Sequence, residues 1–261
     1  MIHKTAIVDP GAVLGRDVEV GPYAVIGPKV TIGDGCSIGA HAVVESHVRM
    51  GNGTRVSPFA SIGAPPQDLK FKGEDTWVEI GEGTTIREYV TVNRGTAGGG
   101  GLTQVGSRAL LMAYCHVAHD CKVGDRVIMA NAATLAGHIT VEDGAFIGGL
   151  VGVHQFVRIG SFAIVGALSG VPLDIPPYVK AVVGRGQKGT GLFGLNVIAL
   201  KRNGFAPETI DGIKKAYRVL FRSGLPMSEA LAQVEGGPAP PSPEVRHLLD
   251  FIRSSKRGVQ R

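Results

Sequence analysis

The sequence predicts a parallel β-solenoid capped by a small α-helical domain, and three observations carry that prediction. An aliphatic side chain recurs every sixth residue at Ile2, Val8, Leu14, Val20, Ile26, Ile32, Ile38, Val44, Met50, Val56 and Ile62. The series resumes at Ile80, Ile86 and Val92, and again from Val105 to Val171. A period of six suits neither a 3.6-residue helix nor a plainly alternating strand. Repeats this short build a solenoid in which each hexad is one flat side of a coil. The second observation is glycine, 39 of 261 residues, which sits on the repeat. It directly follows the aliphatic at Gly15, Gly21, Gly27, Gly33, Gly39, Gly51, Gly63, Gly81, Gly106, Gly124, Gly148, Gly160 and Gly166. A corner that needs either positive φ or close backbone approach selects glycine. Third, the pattern stops at Val171-Pro172, and Pro176-Pro177 follow.

In chain order, residues 1–183 form the expected solenoid domain. With three hexads per coil, its 26 hexads make nearly nine coils. At about 4.8 Å per rung that is a prism roughly 40 Å long. Residues 64–79 and 95–104 interrupt the repeat and are expected to be inserted loops. Loops thrown out of a regular scaffold are where function gathers. The run Gly98–Gly101 lacks the helix start of a phosphate cradle and reads as a flexible turn. Residues 184–261 form the expected helical domain, opened by a Gly- and Lys-rich linker over 184–191. Helices are expected over Leu192–Asn203, stopped by Gly204, and over Pro207–Ser223, started by proline and stopped by Gly224. A shorter one is expected over Ser228–Val234, and an amphipathic one over Glu244–Ser255 after a Pro-rich spacer.

Composition narrows the class. The N-terminus has no apolar core of signal-peptide length, and no stretch approaches the roughly 20 apolar residues of a membrane span. A cytoplasmic protein is expected. Cys36, Cys115 and Cys121 each lie four residues after a repeat aliphatic, a slot otherwise held by small residues such as Ala24, Ala42 and Ala133. They are expected to be buried packing residues, not nucleophiles, disulfides or metal ligands. Residues 1–179 hold 13 Lys and Arg against 16 Asp and Glu, a net −3, whereas residues 180–261 hold 14 against 6, a net +8. That basic tail suits nucleic acid, an anionic membrane or an acidic protein. A triangular prism has shallow faces, so clefts between parallel copies make better sites, and a three-fold ring is the natural assembly.

His3, His41, His47 and His247 stand alone and read as structural or surface residues. His116, His119, His138 and His154 cluster, within Cys-His-Val-Ala-His-Asp-Cys (115–121), Ala-Gly-His (136–138) and Val-His-Gln-Phe (153–156). An 18-residue coil puts His119, Gly137 and Gln155 on one vertical strip, with Asp120 and His138 on the next. A neutral histidine can take a proton from a hydroxyl, and a backbone N–H one rung away can bind a developing oxyanion. That pairing suits acyl transfer. No GxxxxGK[ST] loop is present, which argues against ATP chemistry.

Longer stretches sharpen this. Ser-Ile-Gly-Ala-Pro-Pro-Gln-Asp-Leu-Lys-Phe (61–71), Arg-Gly-Thr (94–96) and Gly-Gly-Leu-Thr-Gln-Val-Gly (100–106) stand in the first two-thirds of the chain. His-Val-Ala-His-Asp-Cys (116–121), Asn-Ala-Ala-Thr-Leu-Ala-Gly-His (131–138), Val-His-Gln-Phe (153–156) and Leu-Lys-Arg-Asn-Gly-Phe (200–205) follow. Together they resemble, over essentially the whole chain, the UDP-N-acetylglucosamine O-acyltransferases, acyl-carrier-protein-dependent enzymes that open lipid A synthesis. The resemblance implies a left-handed parallel β-helix of hexapeptide repeats, and a homotrimer with active sites between subunits. It implies His119 as general base on the glucosamine 3-hydroxyl, Gly137 N–H as oxyanion donor and Asp120 as support for the histidine. It implies substrate contacts from Gln67, Asp68, Lys70, His116, His138, His154, Gln155, Asn196 and Arg202, and an acyl-length ruler at Ala167. The acidic acyl carrier protein becomes the partner of the basic tail, in place of nucleic acid or membrane. No metal or other cofactor is implied, because the acyl donor rides on the carrier's phosphopantetheine.

Departures fall near the nucleotide end. Asn196-Val197-Ile198 and Lys201-Arg202-Asn203 lack one carboxylate and one arginine of the family pattern, and the linker before Phe193 is longer. Hexad-repeat carbonic anhydrases hold zinc on histidines, but they lack the basic helical domain and the 64–79 loop. The sister N-acyltransferases carry an extra N-terminal uridine-binding domain, for which a repeat starting at Ile2 leaves no room. Residue types leave open the acyl length and whether the acceptor carries a 3-hydroxyl or a 3-amino group.

Overall fold

The computed structural model describes residues 1–184, 191–237 and 240–261. Among these, the chain winds through three sheets of nine, eight and ten strands. The first face runs from Ile7–Val8 to Gly170–Val171, the second from Val13–Leu14 to Arg158–Ile159, and the third from Glu19–Val20 to Val179–Val182 and Gly191–Leu195. Within the prism every pair is parallel, and uninterrupted coils pair residues 18 apart, as in Ile7↔Val25, His116↔Thr134 and Lys122↔Thr140. Most strands are only two residues long, because each coil must turn three corners.

The repeat aliphatics fill the interior. Ile62, Ile86, Leu111, Leu135 and Ile147 are fully buried, stacked coil upon coil. Each such side chain contributes about 1.5–3 kcal/mol of burial. The three cysteines are buried beside them. Burial pushes the Cys115 thiol up to about 11 and the Cys121 thiol up to about 12, which suppresses the thiolate.

The structure decides what the repeat glycine is for. Of the thirteen, Gly63 alone has positive φ. The others are selected by close approach: a Cβ on Gly39 would lie 2.6 Å from Pro58 N, and one on Gly148 2.5 Å from Ala167 N. Positive φ falls two residues later, largely on residues with side chains, including Asp17 (56°), Lys29 (55°), His41 (58°) and Arg126 (54°). Close approach of coils thus selects glycine at these positions, while the left-handed corner tolerates other residues.

Three corners result. The third-to-first corner carries a ladder of stacked rings, Tyr23, His41, Phe59, Tyr89 and Tyr114. The second-to-third corner carries an Asp/Asn ladder in which the side chain of one coil accepts the N–H of the coil before it. Asp34 takes the Arg16 N–H, Asn52 that of Asp34, Asp125 that of Ser107, and Asp143 that of Asp125. Both insertions leave at the first-to-second corner, in successive coils. The first runs between strands Ser61–Ala64 and Trp77–Ile80, and the second between Thr91–Asn93 and Leu102–Val105.

The end of the chain differs from expectation in one element. The predicted helix over Leu192–Asn203 begins as a strand, Gly191–Leu195, antiparallel to Val179–Val182. Gly194 has φ 106°, which no helix allows, so only Val197–Arg202 is helical (α1). Asn196 caps it and Gly204, at φ 78°, ends it. Helices α2 (Pro207–Arg222), α3 (Met227–Glu235) and α4 (Pro243–Arg253) follow, α2 and α4 each opening on proline. The proposed linker lies mostly outside the described residues, as does part of the Pro-rich spacer.

The helices dock on the last coils through polar groups. Asp174, almost wholly buried, accepts from Arg158 N–H and Ser255 Oγ. The Arg158 guanidinium stacks 4.1 Å from the Phe251 ring centre. His247, read as a structural or surface residue, is structural and bridges the two parts: its Nε2 lies 3.0 Å from Glu142, and its Nδ1 pairs with Tyr178 Oη at 2.8 Å.

Candidate active site

The site forms at the first-to-second corner, where Asp120, His138 and Phe156 occupy successive left-handed positions. His119 precedes Asp120 and lies over Gly137, whose added Cβ would come within 2.5 Å of the His119 ring. His138 N–H donates to the His119 carbonyl at 3.0 Å, which fixes the coil register here. Its ring meets that of His119 edge-on and stacks on Phe156 at 4.5 Å.

His119 Nδ1 lies 2.8 Å from Asp120 Oδ2. A carboxylate only accepts, so Nδ1 carries the proton and Nε2 keeps its lone pair. The Asp120 side chain is 1% exposed, whereas Phe156 in the same column is 52% exposed. The difference is the second insertion, which folds over the carboxylate. Thr96 N–H donates to Oδ1 at 2.8 Å, and Thr96 Oγ1–H to Oδ2 at 2.6 Å. Asp120's own N–H donates to buried Thr103 Oγ1. A Cβ at Gly99 would overlap the carboxylate, and one at Gly95 would lie 2.9 Å from Oδ1. Of Gly98–Gly101, expected to be a flexible turn, Gly98 and Gly99 therefore belong to a capped 3₁₀ turn, Ala97–Gly99, and Gly99 packs on the Asp120 side chain.

The N–H groups of this corner differ from those opposite. At the second-to-third corner an Asp or Asn one coil on takes the N–H at this position. Here that slot holds Gly137, and then Gln155, whose side chain does not reach back. Among the described residues, the Gly137 N–H has no acceptor. It is left unpaired on a residue buried against the His119 ring.

The remaining predicted residues fall in three places. His116 sits on the first face, its Nδ1 2.7 Å from Thr91 Oγ1, and burial with the nearby His119 charge lowers its pKa. His154 and Gln155 are exposed one coil beyond His138. Gln67, Asp68 and Lys70 lie on the first insertion at the same corner, where Lys70 N–H donates to Asp68 Oδ1. Asn196 binds the Phe162 carbonyl at the second-to-third corner, with Arg202 exposed at the end of α1. Ala167 is exposed beside Leu168 at the third-to-first corner. Within one chain, Asn196, Arg202 and Ala167 therefore lie on different corners from His119.

Sequence reasoning gave no role to the segment 93–96, which serves both insertions. Asn93 Nδ2 donates to the Pro65 carbonyl and Arg94 N–H to that of Ala64. The Arg94 guanidinium faces Phe71 at 5.5 Å and lies 2.9 Å from His47 Nδ1, while His47 Nε2 meets Asp75. Counting coils through the insertions, rather than stopping at them, would have put this segment one coil before His119, on the side away from Gly137. Donor atoms of His119, Asp120 and His138 lie within 4.8 Å of one another, close enough to surround a metal. The Asp120 oxygens, however, already accept hydrogen bonds from Thr96 and His119, which an ion would displace.

A parallel hexad β-helix with a carboxylate-held histidine and an unpaired backbone N–H at one corner defines an acyltransferase of the hexapeptide-repeat class. The model for bacterial transferase hexapeptides matches residues 11–46, 29–64 and 102–137. The model for domain 2 of UDP-N-acetylglucosamine O-acyltransferase matches residues 174–260. The chain is 50% identical over 260 residues to the acyl-[acyl-carrier-protein]–UDP-N-acetylglucosamine O-acyltransferase of Anaeromyxobacter dehalogenans, covering 100% of this chain and 99% of the relative. It is 52% identical to that of Thiobacillus denitrificans, with the same coverage. Among solved structures, the UDP-N-acetylglucosamine acyltransferase of Bacteroides fragilis superposes with TM-score 0.94 at 44% identity, covering 100% of both chains. The Acinetobacter baumannii LpxA superposes with TM-score 0.93 at 43% identity, covering 100% of this chain and 99% of that one. The chain belongs to the acyl-[acyl-carrier-protein]–UDP-N-acetylglucosamine O-acyltransferase family, and its prism has that family's left-handed β-helix fold.

Proposed function

We propose that this chain transfers a 3-hydroxyacyl group from acyl carrier protein to the 3-hydroxyl of UDP-N-acetylglucosamine, the opening step of lipid A synthesis. The observation that carries the mechanism is His119 held by Asp120 above an unpaired Gly137 N–H. His119 Nε2 takes the proton of the 3-hydroxyl, and the oxygen attacks the thioester carbonyl carbon. The Gly137 N–H stabilises the resulting oxyanion. Collapse expels the pantetheine thiolate, which takes its proton back from His119. Asp120 fixes the tautomer and steadies the imidazolium. Base, oxyanion donor and leaving-group acid all come from the chain, so the reaction calls for no metal or further cofactor.

Asp68, Lys70 and Gln67 reach the sugar and diphosphate from the first insertion, with His116, His138, His154 and Gln155 lining the cleft. Asn196 and Arg202 serve the nucleotide, and Ala167 limits the acyl chain. Their placement on three different corners supports a homotrimer in which neighbouring copies complete each site. The basic helical tail, net +8 over residues 180–261, suits the acidic carrier protein. Among the described residues no helix is long and apolar enough to cross a membrane. We place the reaction in the cytoplasm, where its donor and acceptor are soluble.

The test is mass spectrometry of products formed from carrier proteins bearing 3-hydroxyacyl chains and from acceptors with a 3-hydroxyl or a 3-amino group. Wild type is expected to give the 3-O-acyl product. His119→Ala is expected to lose at least about 10³-fold in turnover while staying folded. Wild-type turnover by His119→Ala would sink the mechanism.

A further inference from the structure

The carboxylate behind the histidine is itself held. Each Asp120 oxygen takes one hydrogen bond from a single residue, Thr96: the N–H on Oδ1 and the hydroxyl on Oδ2. Thr96 arrives from an insertion one coil earlier, 24 positions away in sequence. Gly95 and Gly99 flank it with no side chains, and at both positions a Cβ would crowd Asp120. Oδ2 is thereby shared between the Thr96 hydroxyl at 2.6 Å and His119 Nδ1 at 2.8 Å, with His138 Nδ1 farther off at 3.7 Å. Hydrogen bonds to one carboxylate oxygen compete for the same charge.

We propose that Thr96 is a positioning residue for the acyl transfer: by clamping both oxygens of Asp120 it aims the carboxylate at His119 and sets how strongly that carboxylate holds the imidazolium. The proposal rests on the general-base reading of His119. It predicts a chain of command from the second insertion to Asp120 to His119, with Thr96 touching no substrate. Deleting the hydroxyl has two effects. Asp120 gains freedom to turn from His119, which lowers turnover. Its charge is also no longer shared, so it holds a protonated His119 more firmly when the two do meet.

The experiment compares Thr96→Val, which keeps the shape and backbone N–H, with Thr96→Ser, which keeps the hydroxyl. Thr96→Val is expected to lower kcat about tenfold, the size of one hydrogen bond to a charged group. KM for the sugar nucleotide should change less than twofold, and the acid limb of kcat/KM should move to higher pH. Thr96→Ser is expected to restore wild-type values. Thr96 Oγ1 also accepts from Gly99 N–H at 3.1 Å, so Thr96→Val could act merely by loosening the turn. A double-mutant cycle separates the two routes: in an Asp120→Asn background, Thr96→Val should have no further effect. Persistence of its effect in that background would overturn the proposal, as would a Thr96→Val enzyme with wild-type kcat and pH profile. If His119→Ala instead retained activity, the general-base reading itself would fall.

Discussion

Gly137 illustrates how much a single missing side chain does here. Its absent Cβ leaves room for the His119 ring, and the slot one coil on leaves its N–H without an acceptor. The same position at the opposite corner is filled by Asp34, Asn52 or Asp125, each of which caps an N–H. A catalytic corner thus differs from a structural one by removing groups as much as by adding them. Gly137→Ala tests this. The new Cβ forces the His119 ring aside, and kcat is expected to fall at least about 10²-fold, as a displacement of order 1 Å does in other sites. A circular dichroism spectrum and melting curve near wild type would separate this from misfolding.

Among the elements, the two insertions divide the work. The first presents Asp68 and Lys70, and the second seals Asp120 from water. Segment 93–96 joins them, holding the first through Asn93 and Arg94 and the second through Thr96. The glycine run is consequently not uniform. A Cβ at Gly99 overlaps the Asp120 carboxylate, whereas one at Gly98 meets nothing within 4 Å. Gly99→Ala is expected to cut turnover at least about tenfold, since one buried charged hydrogen bond is lost. Gly98→Ala should leave it within twofold of wild type, and steady-state kinetics on the pair decides whether the turn is functional packing or slack chain.

Across the whole molecule, the helical tail is fastened to the prism by ionisable groups. Burial would raise the Glu142 carboxyl, but the His247 hydrogen bond and charge, with two donors from Ser161, outweigh it and hold it below its ordinary value. A carboxyl depressed by folding stabilises the fold fully above the unfolded value of about 4.3 and loses that stabilisation as pH falls through its folded value. Glu142→Gln is expected to cost about 1–3 kcal/mol at neutral pH by leaving partly buried partners unpaired. The gap in Tm between it and wild type should close as pH drops below about 4.3. A gap that stays constant with pH would show that the ion pair does not fasten the tail.

The solenoid was legible because its cause is local and periodic. Each hexad needs one interior aliphatic, which recurs every six positions, and half of the hexads follow it with a glycine that lets the next coil approach. The same count set His119 over Gly137 and Asp120 over His138. It failed where periodicity stops. The length of an insertion says nothing of where it folds, so Thr96 and Gly99 stayed silent until the turn was seen lying on Asp120. Gly191–Leu195 likewise carries helix-like spacing, and became a strand because an unpaired sheet edge at Val179–Val182 was waiting for it. His247 looked solitary for the same reason, its partners Glu142 and Tyr178 being 105 and 69 positions away. By itself the sequence determined the fold and the column on which the chemistry stands, since both follow from a repeat that neighbours in the chain can enforce. The tertiary structure alone decided how the carboxylate is held, which N–H is left unpaired and what ties the tail to the prism, because those depend on contacts between segments with no fixed spacing.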